Sequence, residues 1–151
     1  MKKKVAFVKA DTYILAGDYE GFAPFMPSNL ILTSYGTFKL SGAYEVFSGF
    51  LFSASFPAIN TLDSRRAAMC HDFFYSLMKE GYLDRKHRYA VDYLFYNMLI
   101  EDGMIPLRAW LWFRAVRFGG DNALDSPKPA IQYAPSEPAP QAGWQLKGLF
   151  R

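Results

Sequence analysis

Residues 1 to about 60 set short apolar or aromatic stretches between glycines and prolines, a period-two pattern that predicts strands. The stretches are Lys4–Lys9, Thr12–Ala16, Leu30–Ser34, Thr37–Leu40 and Tyr44–Ser53. Ser34-Tyr35-Gly36-Thr37 can turn Leu30–Thr33 back onto Phe38–Leu40. Leu40-Ser41-Gly42-Ala43 offers the next reversal toward Tyr44–Phe52, so a β meander is expected. Pro24 and Pro27 bracket Phe25 and Met26 in a predicted irregular loop, because neither proline donates to a ladder. That loop is a candidate contact surface.

From Asn60 the period changes to about 3.6. Asp63 or Ser64 serves as N-cap of a first helix running to Glu80, with Ala67, Cys70, His71, Phe74 and Met78 on one stripe. Gly81 ends it. A second helix from about Arg85 to Asp102 turns Val91, Leu94, Phe95, Met98 and Leu99 inward before Gly103 stops it. The short connection makes these two helices antiparallel. Pro106 opens a third helix through Phe118, carrying Leu107, Trp110, Leu111 and Phe113 with arginines at 108, 114 and 117. Gly119-Gly120 is expected to end all regular structure.

The expected fold is therefore α+β: a β-rich part over 1–59 and a helical part over 60–120 in one domain, then an extended C-terminal arm over 121–151. The arm holds five of the nine prolines. Its end, with Trp144, Leu146, Leu149 and Phe150, suits docking on a neighbouring subunit or on its own body. With 151 residues, 51% of them apolar, the chain suits one compact domain and excludes disorder throughout. A net charge of +3 gives no dominant basic field, so nucleic acid is not the expected partner. The aromatic share of 18% is high for so small an interior, and either a large aromatic core or rings placed outside would account for it. No apolar stretch reaches the length of a membrane span. Met1–Lys4 looks like the charged start of a signal peptide, but Asp11 interrupts Val5–Ala10, and no export signal is expected. One cysteine, Cys70, closes no intrachain disulfide.

Chemistry concentrates in Cys70-His71-Asp72-Phe73-Phe74-Tyr75 of the first helix and Arg88-Tyr89-Ala90-Val91-Asp92-Tyr93-Leu94-Phe95 of the second. If the helices are antiparallel, His71 and Asp92 meet across their interface. The carboxylate then holds one imidazole nitrogen and leaves the other to accept a proton from water. The other reading is a buried hydrogen-bonded pair that only stabilises the helices. Asp72 points about 100° away around the helix, where it can ligate a hard cation. His87, within the charged run Asp84-Arg85-Lys86-His87-Arg88, reads as solvated and receives no role. Glycine-rich phosphate loops, nucleophile elbows, His-Glu-x-x-His and Cys-x-x-Cys are all missing.

The segment Ala67–Tyr75, then Arg88-x-x-x-Asp92-x-x-Phe95-x-x-Met98 and Arg114-Ala115-Val116-Arg117-Phe118-Gly119, resembles an uncharacterised family of small tailed-phage proteins over roughly residues 49 to 120. The His-Asp helix followed by a later Asp is also similar to secreted phospholipase A2, especially its bacterial form. Carried over by position, that resemblance implies His71 as general base, Asp92 as its orienting partner and Asp72 as a ligand of calcium, the implied cofactor. Asn60 and Asp63 are further candidate oxygen donors, and Phe52 stands where the phage family commonly has an acid.

Two functions are expected from these resemblances. One is a virion or tail-associated protein on a phospholipase-like scaffold, without turnover, that meets other phage proteins through its arm. The other is a calcium-dependent phospholipid ester hydrolase acting on host lipid. A small intracellular binding protein made during infection is a third possibility. The corresponding locations are the virion or the host cytoplasm.

Overall fold

A computed structural model describes residues 5–7, 13–53, 61–126 and 132–134. The chain divides into two units, Asp11–Ser126 and a smaller one made of Met1–Ala10 with Pro127–Arg151. In the smaller unit β1 (Val5–Phe7) pairs antiparallel with β8 (Gln132–Ala134), Ala6 opposite Tyr133. A strand thus lies inside the stretch expected to carry none. The rest of the C-terminal arm, including Trp144 to Phe150, falls outside the described residues.

The larger unit is α+β, an antiparallel strand meander followed by three helices. Its main sheet has the order β3-β6-β5-β4, from Tyr19–Phe22, Ala43–Val46, Gly36–Phe38 and Ile31–Leu32. The expected reversals are present, with Ile31 opposite Phe38 and Phe38 opposite Tyr44. β3, which the sequence pattern did not reveal, lies beside β6 with Tyr19 opposite Val46. The expected long strand Tyr44–Ser53 is broken, and its second half, β7 (Leu51–Phe52), pairs instead with β2 (Tyr13–Ile14). Gly49 takes φ of +90° between the halves, a left-handed conformation that ends a strand.

Period-two alternation sends Phe38, Tyr44 and Val46 inward onto α1 (Leu62–Lys79), where the consecutive rings of Phe73 and Phe74 are fully buried. Ring centroids of Tyr44 and Phe74 lie 4.9 Å apart, and those of Phe38 and Phe74 5.2 Å, both edge-on, the favoured arrangement of aromatic quadrupoles. Burying rings of this size is a strong favourable contribution to the packing of sheet on helix. Phe25, expected in a contact loop, closes this cluster instead and packs edge-on against Phe38 and Phe74. Its neighbour Met26 is exposed. His87, expected to be solvated, is half-buried with its ring stacked on Phe25, 5.4 Å between centroids. Desolvation first, then the Lys86 charge, hold its pKa below the usual histidine value.

At the start of α1 the N-cap position is Thr61 rather than Asp63 or Ser64. Asp63 lies in the first turn and Lys79 in the last, where each complements the helix dipole. Gly81 and Gly103, at φ of +82° and +96°, terminate α1 and α2 as expected. In both, the next residue's N–H returns to a carbonyl five residues back, Tyr82 to Leu77 and Met104 to Leu99, the Schellman closure. A short 3₁₀ turn (Arg85–His87), capped by Asp84 accepting from the Lys86 N–H, precedes α2 (Arg88–Glu101). Arg66 binds Asp102 while His71 binds Asp92, so α1 and α2 run antiparallel.

α3 (Pro106–Asp125) continues straight through Gly119-Gly120, where regular structure was expected to end. Its buried face is Ala109, Trp112, Val116, Gly120 and Leu124. Leu107, Trp110 and Leu111 are exposed. Among the described residues no helix is long and apolar enough to cross a membrane.

The burial of Phe25 gives a direct test. Phe25→Ala should lower the unfolding free energy by about 3–5 kcal/mol, as large core truncations do, while Met26→Ala should change it by less than about 0.5 kcal/mol. Urea denaturation of the two variants reads both.

Candidate functional site

The helices bring His71 of α1 and Asp92 of α2 together, as their spacing predicted. His71 Nε2 lies 2.8 Å from Asp92 Oδ1. An ionised carboxylate only accepts, so Nε2 carries the hydrogen and the neutral ring keeps Nδ1 as its free basic nitrogen. Asp92 is completely buried, and a charge there persists only with several donors around it. It has them. Tyr75, one helical turn beyond His71, donates its hydroxyl to Oδ1 at 2.7 Å, and Arg117 of α3 donates Nη1 to Oδ2 at 2.8 Å. Arg88, one turn before Asp92 on α2, brings Nε to 3.8 Å from Oδ2. Burial alone would raise the Asp92 pKa. The hydrogen bonds and charge of His71, with the hydrogen bonds from Tyr75 and Arg117, outweigh it and hold the carboxyl below its usual range.

Arg88 joins this carboxylate to the third helix. Its Nε donates to the Tyr75 hydroxyl at 3.3 Å, and its Nη2 donates to the carbonyls of Val116 and Arg117. Its Nη1 pairs with Asp121 at 3.0 Å. The chain of donors therefore runs from Arg88 to Tyr75 to Asp92, and closes from the other side through Arg117. This explains why α3 accepts a glycine in mid-helix at a cost near 1 kcal/mol. A Cβ on Gly120 would collide with the Tyr75 hydroxyl and come within 2.6 Å of Arg88 Nε and Nη2.

His71 and Tyr75 stack with centroids 4.1 Å apart and form one wall of a cavity of about 100 Å³. Its other walls are almost wholly apolar, built by Ala68, Phe95, Trp112, Val116 and Ala123 with Gly119 and Gly120, and Ser53 also lines it. The histidine thus holds its carboxylate partner through Nε2 and also lines an apolar space.

Asp72 is separate from this pair. Its Oδ2 accepts the Ser53 N–H at 2.7 Å, which anchors the end of β7 to α1. Desolvation raises its pKa, opposed by the His71 charge and the Ser53 hydrogen bond. Asp63 lies near Arg108, Asn60 is outside the described residues, and the Phe52 ring stacks on Tyr13. Among the described residues no three His, Cys, Asp or Glu side chains come together. Asp72 supplies one carboxylate, already holding a backbone amide, toward the six to eight oxygens that calcium takes.

Tyr75, Arg88, Arg117 and Gly120 were given no role by sequence reasoning. Two had a readable signal: Tyr75 lies four residues after His71 and Arg88 four before Asp92, so each shares a helix face with it. Arg117 and Gly120 had none, because only the docking of α3 brings them to the pair.

Because the Asp92 pKa is depressed on folding, its contribution is complete above the unfolded carboxylate pKa of about 3.9 and is lost as pH falls through the lower folded value. Asp92→Asn should therefore destabilise the protein by about 3 kcal/mol at pH 7, with the gap to wild type closing below about pH 4. Unfolding free energies measured from pH 7 to pH 2.5 test this; a gap independent of pH would mean the Asp92 pKa does not change on folding, and a gap that grows as pH falls would mean it is raised.

Comparison with protein-family models, with curated proteins and with solved structures finds no match to this chain, so what can be said of its function rests on the geometry of His71, Asp92 and the apolar cavity.

Proposed function

We propose that this chain hydrolyses acyl esters, with His71 as general base, Asp92 as the residue that orients it, and the apolar cavity as the seat of the acyl group. The observation that carries the reading is the asymmetry of the histidine. Nε2 is committed to a buried, fully satisfied carboxylate, while the ring lines an apolar space. A base held in one tautomer by a second-rank carboxylate is the arrangement that activates water. Nδ1 takes a proton as the water oxygen attacks the ester carbonyl, and the imidazolium formed is stabilised by Asp92. It returns the proton to the departing alkoxide. Tyr75 and Arg117 keep Asp92 from rotating away as charge moves. The likeness of the His-Asp segments to secreted phospholipase A2 supports a lipid ester as substrate, and in that case Asp72 would contribute to holding a calcium ion supplied with further oxygens. The cation would polarise the carbonyl.

A role in assembly without turnover, as in the phage-protein resemblance, is favoured by a different observation, the exposure of Leu107, Leu111 and Phe118 on α3.

Purified protein should release acid from short-chain nitrophenyl esters and from phospholipid vesicles, measured with added calcium and with chelator. His71→Asn should reduce the rate by about 10²–10⁴, the usual contribution of a general base, while leaving the fold intact by circular dichroism. Absence of hydrolysis by wild type, or equal rates for His71→Asn, overturns the proposal in favour of the assembly role.

A further inference from the structure

α3 carries a second pattern on its solvent side. Leu107, Leu111, Arg114, Phe118, Asp121 and Asp125 follow one another at alternating steps of four and three, the spacing of a helix-packing seam. Most of its apolar members are far out in solvent: Leu107 is 68%, Leu111 53% and Phe118 91% exposed, with Trp110 beside them at 48%. Scattered exposed apolar residues need no account, but Leu107, Trp110 and Leu111, with Phe118 beyond Arg114, lie along one side of a helix, the kind of surface that marks a contact. The charges along it are also the reverse of what an isolated helix wants. α3 has no side-chain N-cap bond, no acid in its first turn and no base in its last. Its acids, Asp121 and Asp125, sit at the negative end of its own dipole.

We infer that this face pairs with the same face of a second copy, α3 against α3 in antiparallel orientation about a two-fold axis near Leu111 and Arg114. In that register Leu107 of each copy faces Phe118 of the other, and Leu111 packs near Leu111 across the axis. Asp121 of each copy comes level with the start of α3 in the other, where first-turn amides lack a capping side chain. One operation therefore covers both apolar halves and sets each acidic end beside a positive helix terminus. Asp121 and Asp125 also hold Arg88 and Arg85 of their own chain at 3.0 and 2.7 Å, and both acids stay mostly exposed, open to a further partner. An anionic lipid surface fits less well. Helices that lie on membranes flank their apolar stripe with Lys and Arg that reach the headgroups, whereas of the three arginines on α3 Arg117 holds Asp92, Arg108 lies near Asp63 and Arg114 lies over Trp110, against two acids on the seam.

Sedimentation velocity over about 1 to 100 µM should show a concentration-dependent dimer, as expected for micromolar affinity. Phe118→Glu and Leu111→Glu should be monomeric with unchanged circular dichroism, since neither side chain is buried in the fold. Orientation is read by oxidation. Leu111→Cys should give a covalent dimer and Asp125→Cys none, and the native Cys70, being buried, does not compete. Cross-linking at both positions means a parallel arrangement and overturns the proposal. So does wild-type protein that stays monomeric at the highest concentration. Flotation with phosphatidylglycerol vesicles that Phe118→Glu abolishes, without self-association, reassigns the face to lipid and overturns it as well.

Discussion

A fully buried carboxylate governs the helical half of this molecule. Asp92 has no access to water, so its charge persists because His71 and Tyr75 of α1 and Arg117 of α3 donate to its two oxygens and Arg88 of α2 lies close by. That requirement sets geometry well beyond the pair itself. His71 and Tyr75 must lie one turn apart on α1, Arg88 one turn before Asp92 on α2, and α3 must approach closely enough for Arg117 to reach in. Gly120 follows from the same demand, because the space where its side chain would stand is occupied by Tyr75 and Arg88. Removing any one donor leaves a charge in low dielectric, and the cost is shared by all three helices.

The sheet answers to a different constraint. Its strands are short, and a small sheet has little independent stability in water. The rings of Phe38 and Tyr44 on one side, and of Phe73 and Phe74 on the other, make sheet and helix a single apolar cluster. Phe25 seals one side of it from an irregular loop and carries His87 on its outer face. The high aromatic content is thus split in use. Ten or so rings build the core, while Phe22, Tyr89, Tyr93, Trp110 and Phe118 remain on the surface. The rings of Tyr75 and Phe95 beside the buried charge hold His71 in place against the cavity. The outward stripe on α3 belongs to neither cluster, and the two faces of that helix therefore serve separate ends.

Much of this was legible in the residue pattern, and the reason lies in how local each signal is. The strand reversals at Ser34–Thr37 and Leu40–Ala43, the helix stops at Gly81 and Gly103, and the antiparallel run of the first two helices depend on residues within a few positions of one another. The meeting of His71 with Asp92 follows once two helices of known start and stop are folded back through a short turn. What the sequence alone determined, then, is the α+β class, the strand reversals, the succession of three helices and the facing of His71 and Asp92. Tertiary packing decided the rest. It let α3 run on to Asp125, since a glycine that relieves a collision with Tyr75 and Arg88 outweighs its weak helix propensity. It drew Phe25 inward against Phe38 and Phe74, and His87 partly inward onto Phe25, contacts between residues far apart in the chain. It also recruited Arg88 and Arg117, whose roles exist only where three helices converge on one charge, a coincidence in space that no spacing along a single chain encodes.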